Sequence, residues 1–335
     1  MMANLRAALI GLGMMGANHA RVLSSLEGVE LVGVVDPVAS APRSLPNIQL
    51  VSSVGELVAQ GIDYCVVAAP TAFHRDLALE LADAGVHALI EKPLTVDVET
   101  AEAIQKAFDK AGLIGAVGHI ERYNAALQQA RTRIANGYLG EIYQITTRRQ
   151  GPFPGRISDV GVILDLATHD IDLTAWVAQQ EFSRVSAQTA HRSGRPHEDL
   201  VAVTGLLADG TVTNHLVNWL SPLKERVTVI TGEEGAFVAD TITADLTFFH
   251  NGVVITDPSL ARFRGVREGD MTRFAFAKPE PLRVEHENFR DAVLGRDADI
   301  VTLAQATATV AVANAVARSA RTHTTVSVGS MKVNA

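Results

Sequence analysis

The spacing of apolar positions changes character near Glu141. Before it, short apolar runs alternate with segments whose apolar residues recur at helical spacing. The runs Leu5–Ile10, Val29–Val35, Ile48–Val51, Tyr64–Ala68, Ala88–Ile90 and Ile114–Val117 predict strands. Ala17–Leu26, Phe73–Ala84 and Val98–Ala111 predict helices between them. Such alternation implies a parallel sheet covered on both faces. Helical text continues over Arg122–Ala135. Beyond Glu141, runs rich in Val, Thr and Ile recur with turn signals: Ile142–Arg148, Ser183–Gln188, Val201–Leu207, Thr211–Trp219 and Glu225–Thr231. These predict an antiparallel sheet, interrupted by one helix over Asp165–Ala178. Val301–Ala320 is Ala/Val-rich with no strongly polar face, so a helix there is expected to be buried, packed between the domains.

The first strand runs into Gly11-x-Gly13-x-x-Gly16, and the second ends at Asp36. Three glycines alone are a weak signal. A preceding strand, a following helix and an acid about 20 residues on make the layout that of a Rossmann dinucleotide site. Gly11 suits a tight turn. Gly13 leaves the backbone open to a pyrophosphate, and Gly16 lets the helix pack closely. The helix N-terminus offers unpaired N–H groups to phosphates, and Met14 and Met15 of the loop join the expected cofactor contacts. Asp36 can accept from both ribose hydroxyls and repels a 2′-phosphate, which favours NAD over NADP. Arg43, close by in sequence, pulls the other way.

At 335 residues the chain is long enough for two domains. It is 47% hydrophobic and 20% charged, and carries a net charge of −8, which argues against a general nucleic-acid binder. No apolar run is long enough to span a membrane, and the first strand leaves no room for a signal peptide. Cys65 is the single cysteine, which fits a reducing cytoplasm. An anionic substrate would need local arginines.

Ligands of doubly wound sheets bind beyond the carboxyl ends of the strands. Two turns stand there: Ala69-Pro70-Thr71-Ala72-Phe73-His74 and Glu91-Lys92-Pro93. Lys92 is either a solvated loop cation or a side chain aimed at the cofactor, and Pro93 restrains it. In Asp165-Leu-Ala-Thr-His169-Asp170-Ile-Asp172, helical spacing puts Asp165, His169 and Asp172 on one face. A carboxylate one turn from an imidazole can fix its tautomer and raise its basicity. The bland alternative is a capping acid beside a surface histidine. No metal is expected, since no outside ligand is evident.

The chain resembles the Gfo/Idh/MocA oxidoreductases, through Gly11-Leu-Gly-Met-Met-Gly16, Glu91-Lys92-Pro93 and the Asp165…His169 pair. The resemblance implies an α/β fold class: an N-terminal Rossmann doubly wound parallel sheet (1–120, NAD-binding) and a C-terminal α+β domain with an open, mostly antiparallel sheet (121–335). It implies that Lys92, Asp165 and His169 are catalytic. It implies NAD held by the glycine loop, Asp36, Pro70, Thr71, His74, Glu91 and Lys92, and a cis Lys92–Pro93 bond. Gly118-His-Ile-Glu-Arg-Tyr-Asn124, Arg148-Arg-Gln-Gly-Pro-Phe-Pro154, Arg156-Ile-Ser-Asp-Val-Gly161 and Glu280-Pro-Leu-x-x-Glu285 look like the UDP-N-acetylglucosamine 3-dehydrogenases within it. Ala125 stands where that branch has proline. Oxidation of a sugar hydroxyl is then expected, of UDP-GlcNAc at C3 or alternatively of inositol or a free sugar. An NAD-retaining glycosidase and a non-catalytic NAD sensor are further alternatives. His169 is the expected general base, oriented by Asp165, with Lys92 stabilising charge on the same oxygen, although the roles of Lys92 and His169 are exchangeable. Tyr123, Asn124, Arg149, Arg156 and His169 are the expected substrate contacts, the arginines for a diphosphate. A cytoplasmic homodimer or homotetramer, built through the second sheet, completes the expectation.

Overall fold

The computed structural model describes residues 4–37, 49–155, 157, 160–252 and 269–329. The chain forms two compact units. One takes in the described chain through Ile120 and again Pro279–Ala311; the other takes in Glu121–Lys278 and residues 312–329. The first unit therefore reclaims a segment that sequence patterning assigns wholly to the second.

In the first unit, β1 (Leu5–Ile10), β2 (Val29–Val35), β3 (Leu50–Val51), β4 (Tyr64–Val67), β5 (His87–Glu91) and β6 (Gly115–Gly118) form one sheet in the order β3-β2-β1-β4-β5-β6. Every pairing in it is parallel. Helix α1 (Met14–Leu23) follows β1, α2 (Val54–Ala59) follows β3, α3 (His74–Asp83) follows β4 and α4 (Val98–Ala111) follows β5. Alternate strand residues face opposite ways, so each face has its own core. Ala8, Ile10, Cys65, Val67, Ile90 and Val117 pack with Leu57, Leu81, Ile104 and Phe108 from α2, α3 and α4. Ala7, Leu9, Tyr64, Val66 and Leu89 pack with Ala20 and Leu23 of α1 and with Phe289. The sheet is thus doubly wound, with its order reversing between β1 and β4.

In the second unit, α5 (Ala125–Ala135) precedes β7 (Ile142–Pro152), and α6 (Thr168–Ala178) precedes β8 (Phe182–Ala190), β9 (Leu200–Leu207) and β10 (Val212–Asn218). The strands β11 (Leu220–Gly232), β12 (Gly235–Asp240), β13 (Asp245–His250) and β14 (Met271–Arg273) follow. Next in the chain are α7 (Pro281–Val293) and α8 (Leu303–Thr322); β15 (Val326–Ser327) closes the sheet edge. The order is β14-β13-β12-β11-β7-β10-β9-β8-β15. One pairing departs from the antiparallel expectation: β10 runs parallel to β7. Between them the chain passes through α6 and the β8–β9 pair, a crossover long enough to restore direction. One face packs on α5 and α6 through Ile145, Ile230, Phe237 and Phe248 with Leu127, Leu173 and Trp176. No helix among the described residues is long and apolar enough to cross a membrane.

Candidate functional site

The glycine loop takes the form its sequence requires. Gly11 has φ +91°, and a Cβ there would lie 2.5 Å from the Ala68 carbonyl oxygen. A Cβ on Gly16 would lie 2.0 Å from the Gly11 oxygen, so helix and turn approach more closely than alanine permits. A Cβ on Gly13 would meet nothing within 4 Å. No side chain caps the α1 N-terminus. Its N–H groups at Met14, Met15 and Gly16 are therefore left without a side-chain acceptor beside an open glycine, as a pyrophosphate would require. Met14 is 64% exposed there. The half-buried Asp36 carboxylate accepts the Leu12 N–H at 2.6 Å, which fastens the loop to the end of β2. Arg43 lies outside the described residues.

Two further turns leave the same sheet. Pro70 and Thr71 lead into a single 3₁₀ turn, Thr71–Phe73, ahead of α3. His74 is buried, so its ring has a structural use in place of an open one. Nε2 lies 2.9 Å from the Ala69 carbonyl, and Nδ1 lies 3.1 Å from both the Pro93 and Leu94 carbonyls. It stitches the turn after β4 to the turn after β5. Lys92 stands half-buried at the end of β5, and its bond to Pro93 is cis. The Glu91 carboxylate turns inward, away from solvent, and meets His19 at 2.8 Å.

In the second unit, Asp165 lies in a π-helical turn, Ile163–Ala167, that runs directly into α6. The predicted α-helix thus begins three residues later, at Thr168. Such turns carry a wider register than an α-helix and recur at functional sites. His169 sits in the first turn of α6, and both residues are nearly buried.

Asp172, expected on the same face, is spent elsewhere: Arg122 holds it with two bonds of 2.6 and 2.7 Å. Asp170 receives Arg149 Nε at 2.8 Å, while Arg149 Nη1 reaches Glu121, also at 2.8 Å. Burial alone would raise Glu121, but the Arg149 and Arg226 guanidiniums outweigh it and hold the carboxyl below its usual range. Burial pushes Asp170 above its usual range, with Arg149 offsetting part of that.

Two expected substrate contacts have protein partners in this structure. Arg149, the presumed diphosphate ligand, is 3% exposed and enclosed by two carboxylates. Strand alternation sends Arg148 to the other face, where it pairs with Glu225. Asn124 caps α5, its Oδ1 accepting from the Ala126 N–H and its Nδ2 donating to the Thr241 carbonyl. Tyr123 is also buried. Arg156 lies outside the described residues. Among those residues no three His, Cys, Asp or Glu side chains group as a metal site would need.

Several residues now central were not singled out from sequence. Glu121 and Arg122 lie within a quoted motif, yet their roles depend on partners in β7 and α6. His19, a polar residue on the apolar face of α1, was the visible signal that α1 buries something other than a core.

Comparison with known proteins agrees with this layout. Residues 5–119 match the profile of the oxidoreductase family with an NAD-binding Rossmann fold, and residues 127–238 match the GFO/IDH/MocA C-terminal domain. A UDP-N-acetylglucosamine 3-dehydrogenase of Acidithiobacillus ferrooxidans is 30% identical, over 87% of this chain and 90% of its own. The crystal structure of that enzyme superposes with TM-score 0.84 at 27% identity, covering 96% of this chain and 99% of the other. The scyllo-inositol 2-dehydrogenase (NAD+) of Bacillus subtilis is 30% identical over 54% of this chain and 56% of its own. A Bordetella pertussis dehydrogenase in complex with NADH and UDP-GlcNAcA shares the fold, with TM-score 0.79 at 23% identity, over 98% of this chain and 99% of the other.

Proposed function

The chain belongs to the Gfo/Idh/MocA family of NAD-binding oxidoreductases, and from that premise we propose that it oxidises a secondary hydroxyl of UDP-N-acetylglucosamine at C3. The observation that carries the substrate is the extent of the match. Similarity to the UDP-GlcNAc enzyme runs through 87% of the chain, against 54% for the scyllo-inositol enzyme. The burial of Arg149 favours a second reading, a free polyol, because it removes a cation expected to hold the diphosphate.

NAD+ at the glycine loop supplies the hydride acceptor for the carbinol carbon. The chain's own groups do the rest. The α1 N-terminus and Gly13 take the pyrophosphate, and Asp36 takes the ribose hydroxyls. His169, oriented by Asp165, removes the hydroxyl proton, and Lys92 stabilises the charge that develops on that oxygen. Tyr123 and Arg156 remain the proposed substrate contacts.

We propose a homodimer or homotetramer in the cytoplasm, closed through the sheet face turned away from the helices. Val227, Val229, Val238, Leu206 and Leu216 lie there only half-buried. UDP-GlcNAc deuterated at C3 tests the reaction. Deuterium should appear in the reduced cofactor; NADH without label would overturn the position, and no NADH at all would overturn the sugar.

A further inference from the structure

Behind Lys92 lies a buried strip of titratable groups that the reaction above does not use. Glu91 Oε1 meets His19 Nε2 of α1 at 2.8 Å, and His19 Nδ1 meets His286 Nε2 of α7 at 2.8 Å. The two imidazoles stand edge to face, 5.0 Å apart. Glu91 Oε2 accepts the backbone N–H of Lys92 at 3.1 Å. A carboxylate only accepts, so whichever way the proton lies between the imidazoles, Glu91 receives one N–H from His19 and one from Lys92. On the β6 side Gly118 makes room, since a Cβ there would come within 3.3 Å of the Glu91 carboxyl. Beyond Lys92, His74 holds the next two carbonyls, those of Pro93 and Leu94. The turn that carries Lys92 is therefore clamped at both ends by buried side chains.

The charges in this strip are arranged unequally. Burial would raise Glu91, but His19, the Lys92 charge and the Lys92 amide outweigh it and hold the carboxyl below its usual range. Glu285, next to His286 on α7, is fully enclosed, and neither carboxyl oxygen has a partner among the described residues. Burial first, and the Glu91 charge second, push it well above the usual carboxylate range. Burial, with the His19 and Arg283 charges, pushes His286 well below the usual imidazole range. The interior thus favours the charge on one carboxylate, the one bonded to the turn of Lys92, and disfavours it on its neighbour.

We propose that Glu91 is a positioning residue for Lys92, fixed by His19 and His286, and that its charge holds the Lys92 ammonium in place for the reacting oxygen. This rests on the catalytic reading of Lys92 given above. Competitive acetylation with limiting acetic anhydride, read by mass spectrometry at Lys92 against the exposed Lys106, measures the amine without substrate. In Glu91→Gln the loss of the adjacent charge should raise Lys92 labelling about threefold or more near pH 8, and leave it unchanged near pH 11, where every lysine is largely free amine. A merely loosened turn would raise labelling at both. His19→Leu, which removes the imidazole donor from Glu91, should move labelling the same way. Glu285→Gln, which leaves the hydrogen bonds of Glu91 in place, should not. Labelling near pH 8 unchanged in both Glu91→Gln and His19→Leu would overturn the proposal. Changed labelling beside a fully active Lys92→Ala enzyme would instead leave it standing and sink the catalytic reading.

Discussion

Asp36 carries one load on the loop, where its bond to the Leu12 N–H shapes the glycine turn, and in the proposed reading a second on the cofactor, where its charge would repel a 2′-phosphate. NAD is expected to bind at least ~10-fold better than NADP, equivalent to about 1.4 kcal/mol. Asp36→Asn keeps an acceptor for Leu12 and drops the charge, so it should narrow the gap with little loss of NAD affinity. Calorimetry giving equal affinities in the wild type would remove the assignment. Lys92→Ala and His169→Ala should each lower kcat by on the order of 10²–10⁴ while NAD affinity stays within a few-fold. Near wild-type turnover in either would release that residue from its role. Arg149→Ala is expected to act on folding. The buried Asp170 loses its cation and Glu121 keeps only Arg226, a loss of about 3–5 kcal/mol. A urea melt that matches the wild type, with only KM raised, would return Arg149 to the substrate. The sequence showed which residues could bear charge or a special turn, hence Gly11, Gly13, Gly16 and the turn of Lys92. It did not show what Arg149 meets, because period-two alternation names a face and says nothing of the residue opposite.

Elements divide along the same line. The boundaries of α4 match the sequence pattern because Asp97 caps its start and Gly112, at φ +65°, ends it. The π turn before α6 escaped, since its five residues have no composition that distinguishes them from the helix they enter. So did the parallel pairing of β7 with β10, which depends on a crossover and on no local signal. The strands β12, β13 and β14 and the helix α7 went unassigned. The glycine loop offers a clean separation of fold from binding. Gly13→Ala meets open space, so its melting temperature should hold while NAD affinity falls roughly tenfold or more. Gly16→Ala meets the Gly11 carbonyl, so both should fall. Equal behaviour of the two variants would mean that Gly13 does not face the pyrophosphate.

For the whole molecule, buried histidines set a pH limit. Burial pushes His215 in the second unit from 6.5 down to about 4. The unfolded chain takes up that proton near 6.5, and the folded chain does so only near 4. Stability is therefore intact above 6.5 and falls as pH drops through this window, by about 3 kcal/mol for this residue. His286 in the first unit is shifted the same way. His215→Leu should flatten the fall in urea stability between neutral and acid pH; an identical fall would assign it to other groups. The half-buried valines and leucines on the sheet face away from the helices should keep the protein associated, as light scattering across dilution would show. A monomer at every concentration would contradict that. The proposed NAD-dependent dehydrogenation of a nucleotide sugar is tested by NADH formation with UDP-GlcNAc and with myo-inositol under the same conditions. The kcat/KM for UDP-GlcNAc should be at least about 100-fold the higher, close to 3 kcal/mol in transition-state binding. Strong turnover of inositol, with none of any UDP-sugar, would contradict it.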